Sequence, residues 1–297
     1  MDELIVASRA VHFAALALLL GAPFFRLVIS SEGPVRGWPG GRGIELGATL
    51  AALVSGLGWF AGVAATFAGG WSDALAPDIL QAVIFDTRFG HLWTGRLVVF
   101  VAVLVIQMRA APSRRRDDAL ACLAAVAIAS LIGVGHGMTG AGGGPAIARL
   151  HMVADVAHLL CATVWVGGLF CLAQVLRRAV SGAGGGEILA VVLPRFSGVG
   201  YWLVALLLIS GCINALVLVP RPDSLVTSDY GRVLLVKLGL VLIMVAFAVY
   251  NRVVLTAWVI PPSGGARSLW HSVLLELGVG ILVLLSVALL GTIHPVP

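Results

Sequence analysis

The sequence predicts an all-α integral membrane protein with eight transmembrane helices. Of its 297 residues, 60% are hydrophobic and only 11% are charged, and the mean hydropathy is +1.04. A soluble domain carries about 25% charged residues, so this chain has too few of them to cover its apolar surface in water. Lipid offers no hydrogen bonds to the backbone, so the long apolar segments must cross the bilayer as helices.

The number of spans follows from the length of the apolar segments, because a transmembrane helix needs about 20 such residues. Eight segments meet this requirement, at residues 4–30, 44–69, 92–110, 118–136, 149–176, 195–219, 232–256 and 270–293. The first begins with acidic residues and lacks the basic start of a signal peptide, so we predict that it stays as an uncleaved span. Together the spans predict one polytopic domain over residues 1–297.

The loops between these segments alternate in charge. Arginines concentrate in or beside the first, third, fifth and seventh loops, whereas the intervening loops are acidic or nearly neutral. Positively charged loops stay in the cytoplasm, so both termini are expected in the periplasm of a bacterial inner membrane. The net charge of +5 is therefore explained by topology, and no nucleic-acid partner is expected.

The two halves of the chain resemble each other in four places, in the same order. We predict two four-helix halves, residues 1–136 and 149–297, joined by a glycine-rich periplasmic loop at 137–148. Halves of the same orientation would be related by a pseudo-twofold axis along the membrane normal. The matched positions are His12 with His158, Gly21 with Gly167, the motif LVSG (53–56) with LISG (208–211), Gly90 with Gly231, Arg96 with Lys237, and His136 with His294.

Histidines near the outer ends of the spans are the candidate ligands. Neutral imidazole binds copper, zinc and haem iron, and the methionine thioether suits Cu(I). The alternative is that these side chains only hydrogen-bond between helices and fix their packing. The metal-site candidates are the repeat-related histidines His12, His158, His136 and His294, and the predicted metal entrance consists of His151, His91, Met138 and Met152.

One carboxylate accompanies these histidines. Asp155 shares a helix face with His151 and His158, and its equivalent in the first half is Arg9. Two alternatives stay open for it. In the first, Asp155 and Arg9 form a salt bridge that offsets the cost of burying their charges. In the second, Asp155 orients a metal-binding histidine by bonding to that histidine's second ring nitrogen.

Other polar residues within the apolar segments are expected to have structural roles. Arg96 and Lys237 lie about one turn into their helices and are predicted to snorkel to the outer interface. Asn214 and Glu276 are predicted to hydrogen-bond between helices. The glycine run lacks the Lys-Ser/Thr of a phosphate-binding loop, and no catalytic triad or dinucleotide pattern is present.

Five longer segments carry a resemblance to a known family. They are RAVHFAALALLLGAPFF (9–25), DTRFGHLWTGRL (86–97), HLLCATVWVGGLF (158–170), RFSGVGYWLVALLLISGCINA (195–215) and TSDYGRVLLVKLGLVLIMVAFAVYNR (227–252). The set resembles the CopD copper-resistance membrane proteins over nearly the whole chain. The resemblance implies an inner-membrane copper-handling protein with a periplasmic partner of the CopC type, and it assigns the metal role to His12 and His158.

Three functions stay open at this point. The first is copper homeostasis, in which copper binds in the periplasmic half and is taken up toward the cytoplasm. The second is a b-type haem redox protein with two histidines on the iron, which would make the chain an oxidoreductase. The third is a structural or assembly role, and a homo-oligomer is compatible with all three. A continuous copper path is not evident, because the inner half offers only the dispersed ligands Cys171, Cys122, Met108 and His271.

Overall fold

The computed structural model describes residues 2–30, 41–133, 144–182, 186–219, 221–255 and 265–293, and all regular structure in these ranges is helical. The all-α membrane class is therefore confirmed. The helices are α1 (Asp2–Phe24, continued by a π-helical turn Phe25–Ile29), α2 (Arg42–Phe67), α3 (Pro77–Gln81, continued by a π-helical turn Ala82–Asp86), α4 (Arg88–Arg109), α5 (Arg114–Ala129, continued by a 3-10 turn Ser130–Gly133), α6 (Gly144–Val180), α7 (Gly186–Leu218), α8 (Ser224–Thr227), α9 (Asp229–Tyr250, continued by a π-helical turn Asn251–Leu255) and α10 (Gly265–Leu290).

Seven helices in the described part of the chain are long and apolar enough to cross a membrane: α1, α2, α4, α6, α7, α9 and α10. The segment predicted as the remaining span, 118–136, corresponds to α5, whose 16 residues are shorter than the usual requirement. With its 3-10 turn the segment reaches about 32 Å, close to the hydrocarbon thickness of about 30 Å. The eighth crossing therefore stays a prediction.

Each helix begins earlier than its predicted span, from two residues at α1 (2 against 4) to nine at α7 (186 against 195). Polar first turns are stable because side chains cap them, and hydropathy does not register caps. The hydroxyl of Thr87 accepts from the amide of Gly90 at 3.0 Å at the start of α4. The hydroxyl of Ser228 accepts from the amide of Gly231 at 3.0 Å at the start of α9.

Helices α1 and α6 pack against each other at the centre of the bundle, with no room for side chains where they cross. A Cβ atom on Gly21 would lie 2.5 Å from the Cα atom of Gly167, and one on Gly167 would clash with the carbonyl oxygen of Ala17. Around this pair, α1 contacts α2, α5 and α10, while α6 contacts α7, α10 and α5. Glycine is required at the crossing because any larger residue would separate the backbones.

Two apolar cores lie on either side of the central pair. One joins α1, α2, α4 and α5 around Trp59, Trp93 and Phe100, and the other joins α6, α7, α9 and α10 around Trp165 and Leu176. Large apolar side chains also cover the outer surfaces of the helices, as a lipid-facing protein requires. The side of the bundle where α1 begins and α10 ends is called the termini face below, and the opposite side the arginine face.

A buried charge cluster ties α1, α2 and α5 together at the arginine face. Arg26 pairs with Glu45 at 2.5 Å and with Asp117 at 2.7 Å, and Arg116 pairs with Glu45 at 2.5 Å. All four side chains are nearly inaccessible to solvent. Two guanidinium groups and two carboxylates compensate each other, which is how buried charges are normally accommodated.

Candidate functional site

His12 is fully buried on α1, and both of its ring nitrogens have partners. Nδ1 lies 3.0 Å from the carbonyl oxygen of Ala52 and 3.2 Å from the hydroxyl of Ser55, both on α2. A carbonyl only accepts, so Nδ1 carries the proton. Nε2 lies 2.6 Å from Nη2 of Arg96, and a guanidinium only donates, so Nε2 is an acceptor. The imidazole is therefore neutral, and its lone pair is directed at Arg96.

Arg96 is only 2% exposed, so the expectation that it snorkels to the interface was wrong. Its guanidinium lies 5.0 Å from the ring centroid of Trp93, one turn earlier on α4, and contacts His12. Trp93 in turn lies 5.4 Å from Trp59, and the His12 ring sits within 6.0 Å of both. Hydropathy could not reveal this placement, because it depends on which face of α4 is turned into the bundle, where α4 packs against α2 and α5.

His158 on α6 is held in the same way by α7. Its Nδ1 lies 3.2 Å from the carbonyl oxygen of Leu207 and 3.2 Å from the hydroxyl of Ser210. Nδ1 therefore carries the proton, and the lone pair is on Nε2. No hydrogen bond from a described residue reaches Nε2. Lys237, the sequence equivalent of Arg96, is close enough to His158 to act on it electrostatically.

His151, the predicted entrance histidine, lies two turns before His158 on α6. It is 1% exposed, and neither of its ring nitrogens has a hydrogen-bond partner among the described residues. A buried imidazole with both nitrogens unpaired is unfavourable, since buried polar groups are almost always hydrogen-bonded. It is therefore the least satisfied histidine of the described chain.

Asp155 and Arg9 occupy the predicted helix faces but have different partners. Asp155 accepts a hydrogen bond from the side-chain amide of Asn214 at 3.2 Å. Arg9 stacks on Trp59, with its guanidinium carbon 4.6 Å from the ring centroid, and donates to the carbonyl of Gly291 at 3.4 Å. The described contacts of Arg9 include no carboxylate, so the structure gives no support to the salt bridge.

The predicted interhelical hydrogen bonds of two other residues are confirmed. Asn214 reaches from α7 to Asp155 on α6. Glu276 on α10 accepts from the indole of Trp165 at 3.1 Å and from the amide of Asn251 at 2.9 Å. Glu276 also lines an apolar cavity of about 430 Å³ in the arginine-face half of the bundle. None of the described residues that line this cavity is a histidine.

The remaining predicted site residues are spread over the termini face or fall outside the described ranges. His91 is exposed in the first turn of α4, and Met152 is half-buried next to His151. His136, Met138 and His294 lie outside the described residues. Within the described ranges, no group of three or more His, Cys, Asp or Glu side chains is arranged to hold one metal ion. The described candidate ligands therefore stand singly and do not form a closed chelating centre.

Comparisons with known proteins identify the family. Residues 1–146 match the family model of the copper resistance protein D-like N-terminal domain, and residues 190–290 match that of copper resistance protein D. The chain is 30% identical over 294 residues to the inner membrane protein YebZ of Escherichia coli K12, covering 98% of both chains. The chain belongs to the copper resistance protein D family.

Two further relatives of this copper resistance protein D family member carry copper-related names. Copper resistance protein D of Pseudomonas syringae pv. tomato is 32% identical over 234 residues, which are 76% of this chain and 74% of the relative. Copper transport protein CutJ of Bacillus subtilis 168 is 27% identical over 250 residues, which are 80% of this chain and 44% of the relative. No solved structure matches the chain.

The two segments that match the copper resistance protein D family models correspond to different parts of the fold. The first covers α1 to α5 and the second covers α7 to the end of α10. Nearly all of α6, with His151, Asp155 and His158, lies between them. Family membership thus supports the architecture, while the roles of the α6 residues rest on their own contacts.

Proposed function

We propose that this protein is a bacterial inner-membrane copper-handling protein that takes copper at its termini face and mediates its uptake toward the cytoplasm. Membership of the copper resistance protein D family and the apolar helices support this role. Every loop at the arginine face has arginines in it or beside it, which supports a cytoplasmic arginine face and a periplasmic termini face. In this topology α5 forms the eighth crossing. A periplasmic copper-binding protein of the CopC type is the partner expected to deliver the metal there.

We also propose that the two halves are duplicated. Equivalent residues make equivalent contacts: His12 bonds to Ala52 and Ser55 as His158 bonds to Leu207 and Ser210. Position 9 contacts position 59, and the corresponding position 155 contacts position 214. Gly21 and Gly167 are equivalent and touch each other, as residues on a twofold axis must.

The observation that carries the copper site is the state of the His158 imidazole. Its Nδ1–H donates to a backbone carbonyl, the arrangement that fixes a metal-binding histidine and raises the basicity of its other nitrogen. Its Nε2 lone pair has no described hydrogen-bond partner. His158 therefore has the orientation, the tautomer and the free atom that a copper ligand needs.

We propose His151 as a first copper-binding residue on the same helix face, nearer the termini face than His158. Seven residues separate it from His158, a rise of about 10 Å, so the two cannot share one ion. Copper would bind first at His151, where the unpaired ring nitrogens would gain a partner, and then at His158. Further entrance ligands are expected from Met152, from His91 and from residues outside the described ranges, His136, Met138 and His294.

His12 is a copper ligand only when Arg96 leaves it. Copper and the Arg96 guanidinium compete for the same lone pair on Nε2, and the described arrangement has Arg96 in place. A haem iron held by His12 and His158 meets the same obstacle, because it needs Nε2 of both residues. That haem pair does not fit the arrangement, and haem pairs that involve His136 or His294 fall outside the described residues.

Uptake requires a change at the arginine face. There the cluster of Arg26, Glu45, Arg116 and Asp117 closes the bundle next to the buried thiol of Cys171. Sulfur and imidazole ligands are sparse among the described residues of this half, so they do not form a continuous series of copper ligands. We propose that inward release requires this cluster to open, which would connect Cys171 to the cytoplasm.

The test is Cu(I) binding by the purified full chain, measured by competition with a chromogenic chelator, together with its visible spectrum. His158→Ala is expected to weaken binding by at least about tenfold, since one direct ligand is lost. His271→Ala is the matched control, because His271 is exposed near the arginine face. Unchanged copper binding in His158→Ala would contradict the proposed copper site. A Soret band that shifts on reduction would favour the haem alternative over copper.

A further inference from the structure

Buried arginines in this protein are of two kinds, and the difference indicates a second binding site. At the arginine face, Arg26 and Arg116 are neutralised by Glu45 and Asp117 within the same cluster. At the termini face, Arg9 and Arg96 are equally buried, at 7% and 2% exposure, but no described carboxylate lies within salt-bridge distance of either. Among the described residues, one pair of arginines is neutralised by carboxylates and the other pair is not.

The second half is balanced at the corresponding positions. There the carboxylate of Asp155 replaces Arg9, and it interacts electrostatically with Lys237, which replaces Arg96. Arg96 and Arg9 both act on His12, whereas the cation that acts on His158, Lys237, is balanced by Asp155. Among these described groups, the uncompensated positive charge therefore lies in the first half, at the termini face.

The uncompensated arginines also have unused hydrogen-bond donors. Nε of Arg9, Nε and Nη1 of Arg96 and the indole Nε1 of Trp93 are all buried and lack an acceptor among the described residues. The acceptors next to them, the Gly291 carbonyl and Nε2 of His12, are already engaged by other donor atoms of the same two arginines. Four buried donors without an acceptor, three of them on guanidinium groups, favour an acceptor that carries negative charge.

Aromatic rings stabilise the cations without neutralising them. Arg9 lies 4.6 Å from the centroid of Trp59, and Arg96 lies 5.0 Å from that of Trp93. Cation–π contact offsets part of the desolvation, but it supplies no hydrogen-bond acceptor in the plane of the guanidinium. Packing around the Trp93 ring is tight, since a Cβ atom on Gly56 would lie 2.9 Å from it, and this favours a small ligand.

We propose that the termini-face part of the first half binds a small inorganic anion of halide size, held by the free donors of Arg9, Arg96 and Trp93. Its negative charge lowers the positive field that a copper cation meets when it enters the same face toward His158. The anion site itself rests only on the first half and is independent of the copper proposal.

Equilibrium binding of radioactive chloride to the purified full chain in a neutral detergent tests the site. Sodium gluconate keeps the ionic strength constant, because its anion is much larger than a halide and is not expected to bind at the same donors. We expect saturable binding of one chloride per chain and a thermal unfolding midpoint that rises with chloride concentration. Absence of saturable binding to the folded wild type would overturn the proposal, because water would then satisfy the four donors.

Three variants locate the chloride. Arg96→Gln and Arg9→Gln each remove one buried charge and are expected to weaken chloride binding by at least about tenfold. Trp93→Phe keeps the ring, removes only the indole donor, and is expected to bind chloride more weakly while remaining folded. Arg88→Gln changes an exposed arginine of the same helix and should bind like the wild type. An equal loss in Arg88→Gln, or no loss in the other three, would contradict the proposed position.

Discussion

The guanidinium of Arg96 lies 2.6 Å from Nε2 of His12, the atom that a metal ion would need. In the second half, the described hydrogen bonds of His158 leave the same atom free. Two histidines in matching surroundings therefore differ in one respect, the availability of the lone pair. The predictions below follow from this difference and from the packing that maintains it.

Replacing Arg96 should release the second histidine. In Arg96→Met the side chain stays unbranched and apolar but loses the guanidinium and every donor, so Nε2 of His12 becomes available for copper. We expect the stoichiometry of tightly bound Cu(I) to rise by one per chain, measured by competition with a chromogenic chelator. The double variant Arg96→Met with His12→Ala is the control and should return to the wild-type value. A stoichiometry that Arg96→Met leaves unchanged would mean that Arg96 does not block His12.

The glycine contact between α1 and α6 should not tolerate a methyl group. In Gly167→Ala the new Cβ would clash with the backbone of Ala17 and Gly21, so the central helices must move apart. We expect a loss of about 1–3 kcal/mol in the free energy of unfolding, measured by thermal or denaturant unfolding in detergent. Gly198→Ala on α7 is the matched control, because a Cβ there meets nothing within 4 Å. Similar stability of the two variants would contradict the described crossing.

Much of the fold is predictable from the sequence because a bilayer imposes it. Apolar length determines the helices, and the helical class follows from backbone satisfaction in lipid. The capped first turns at Thr87 and Ser228 extend the helices beyond their apolar segments, which hydropathy does not register. The short helices α3 and α8 were missed because they have only five and four residues and lie between spans.

The partners of the site residues were harder to predict. Arg96 was expected at the interface, and a salt bridge between Arg9 and its repeat equivalent Asp155 was one of two alternatives. Opposite charge does not determine which helix faces which, and Arg9 instead stacks on Trp59 of α2. A repeat alignment alone could have suggested the cation beside each histidine, because Arg96 and Lys237 are equivalent, but not which imidazole lone pair is occupied.

Breaking the arginine-face cluster should be costly. Asp117→Asn removes one carboxylate and leaves Arg26 buried with an incomplete set of partners. Loss of one partner from a buried ion cluster costs about 3–5 kcal/mol, so we expect a marked drop in the unfolding midpoint in detergent. Asp118→Asn is the neighbouring control with the same chemical change at an exposed position. If the two variants have the same unfolding midpoint, the cluster contributes little to stability.

The unpaired nitrogens of His151 should make its replacement inexpensive for folding but not for copper. His151→Leu removes a buried imidazole that bonds to no described residue, so stability should change by less than about 1 kcal/mol or increase. Copper uptake into proteoliposomes should nevertheless slow, because the first copper-binding residue of the proposed route is lost. Uptake at the wild-type rate would remove His151 from the copper path.

X-ray absorption at the copper edge of the loaded protein tests the central claim most directly, because it counts imidazole ligands on the metal. The wild type and His12→Ala should give the same number of histidine ligands per tightly bound copper, while His158→Ala should lose one or fail to retain the metal. Loss of the histidine signal in His12→Ala, with His158→Ala unchanged, would contradict the assignment of copper to Nε2 of His158.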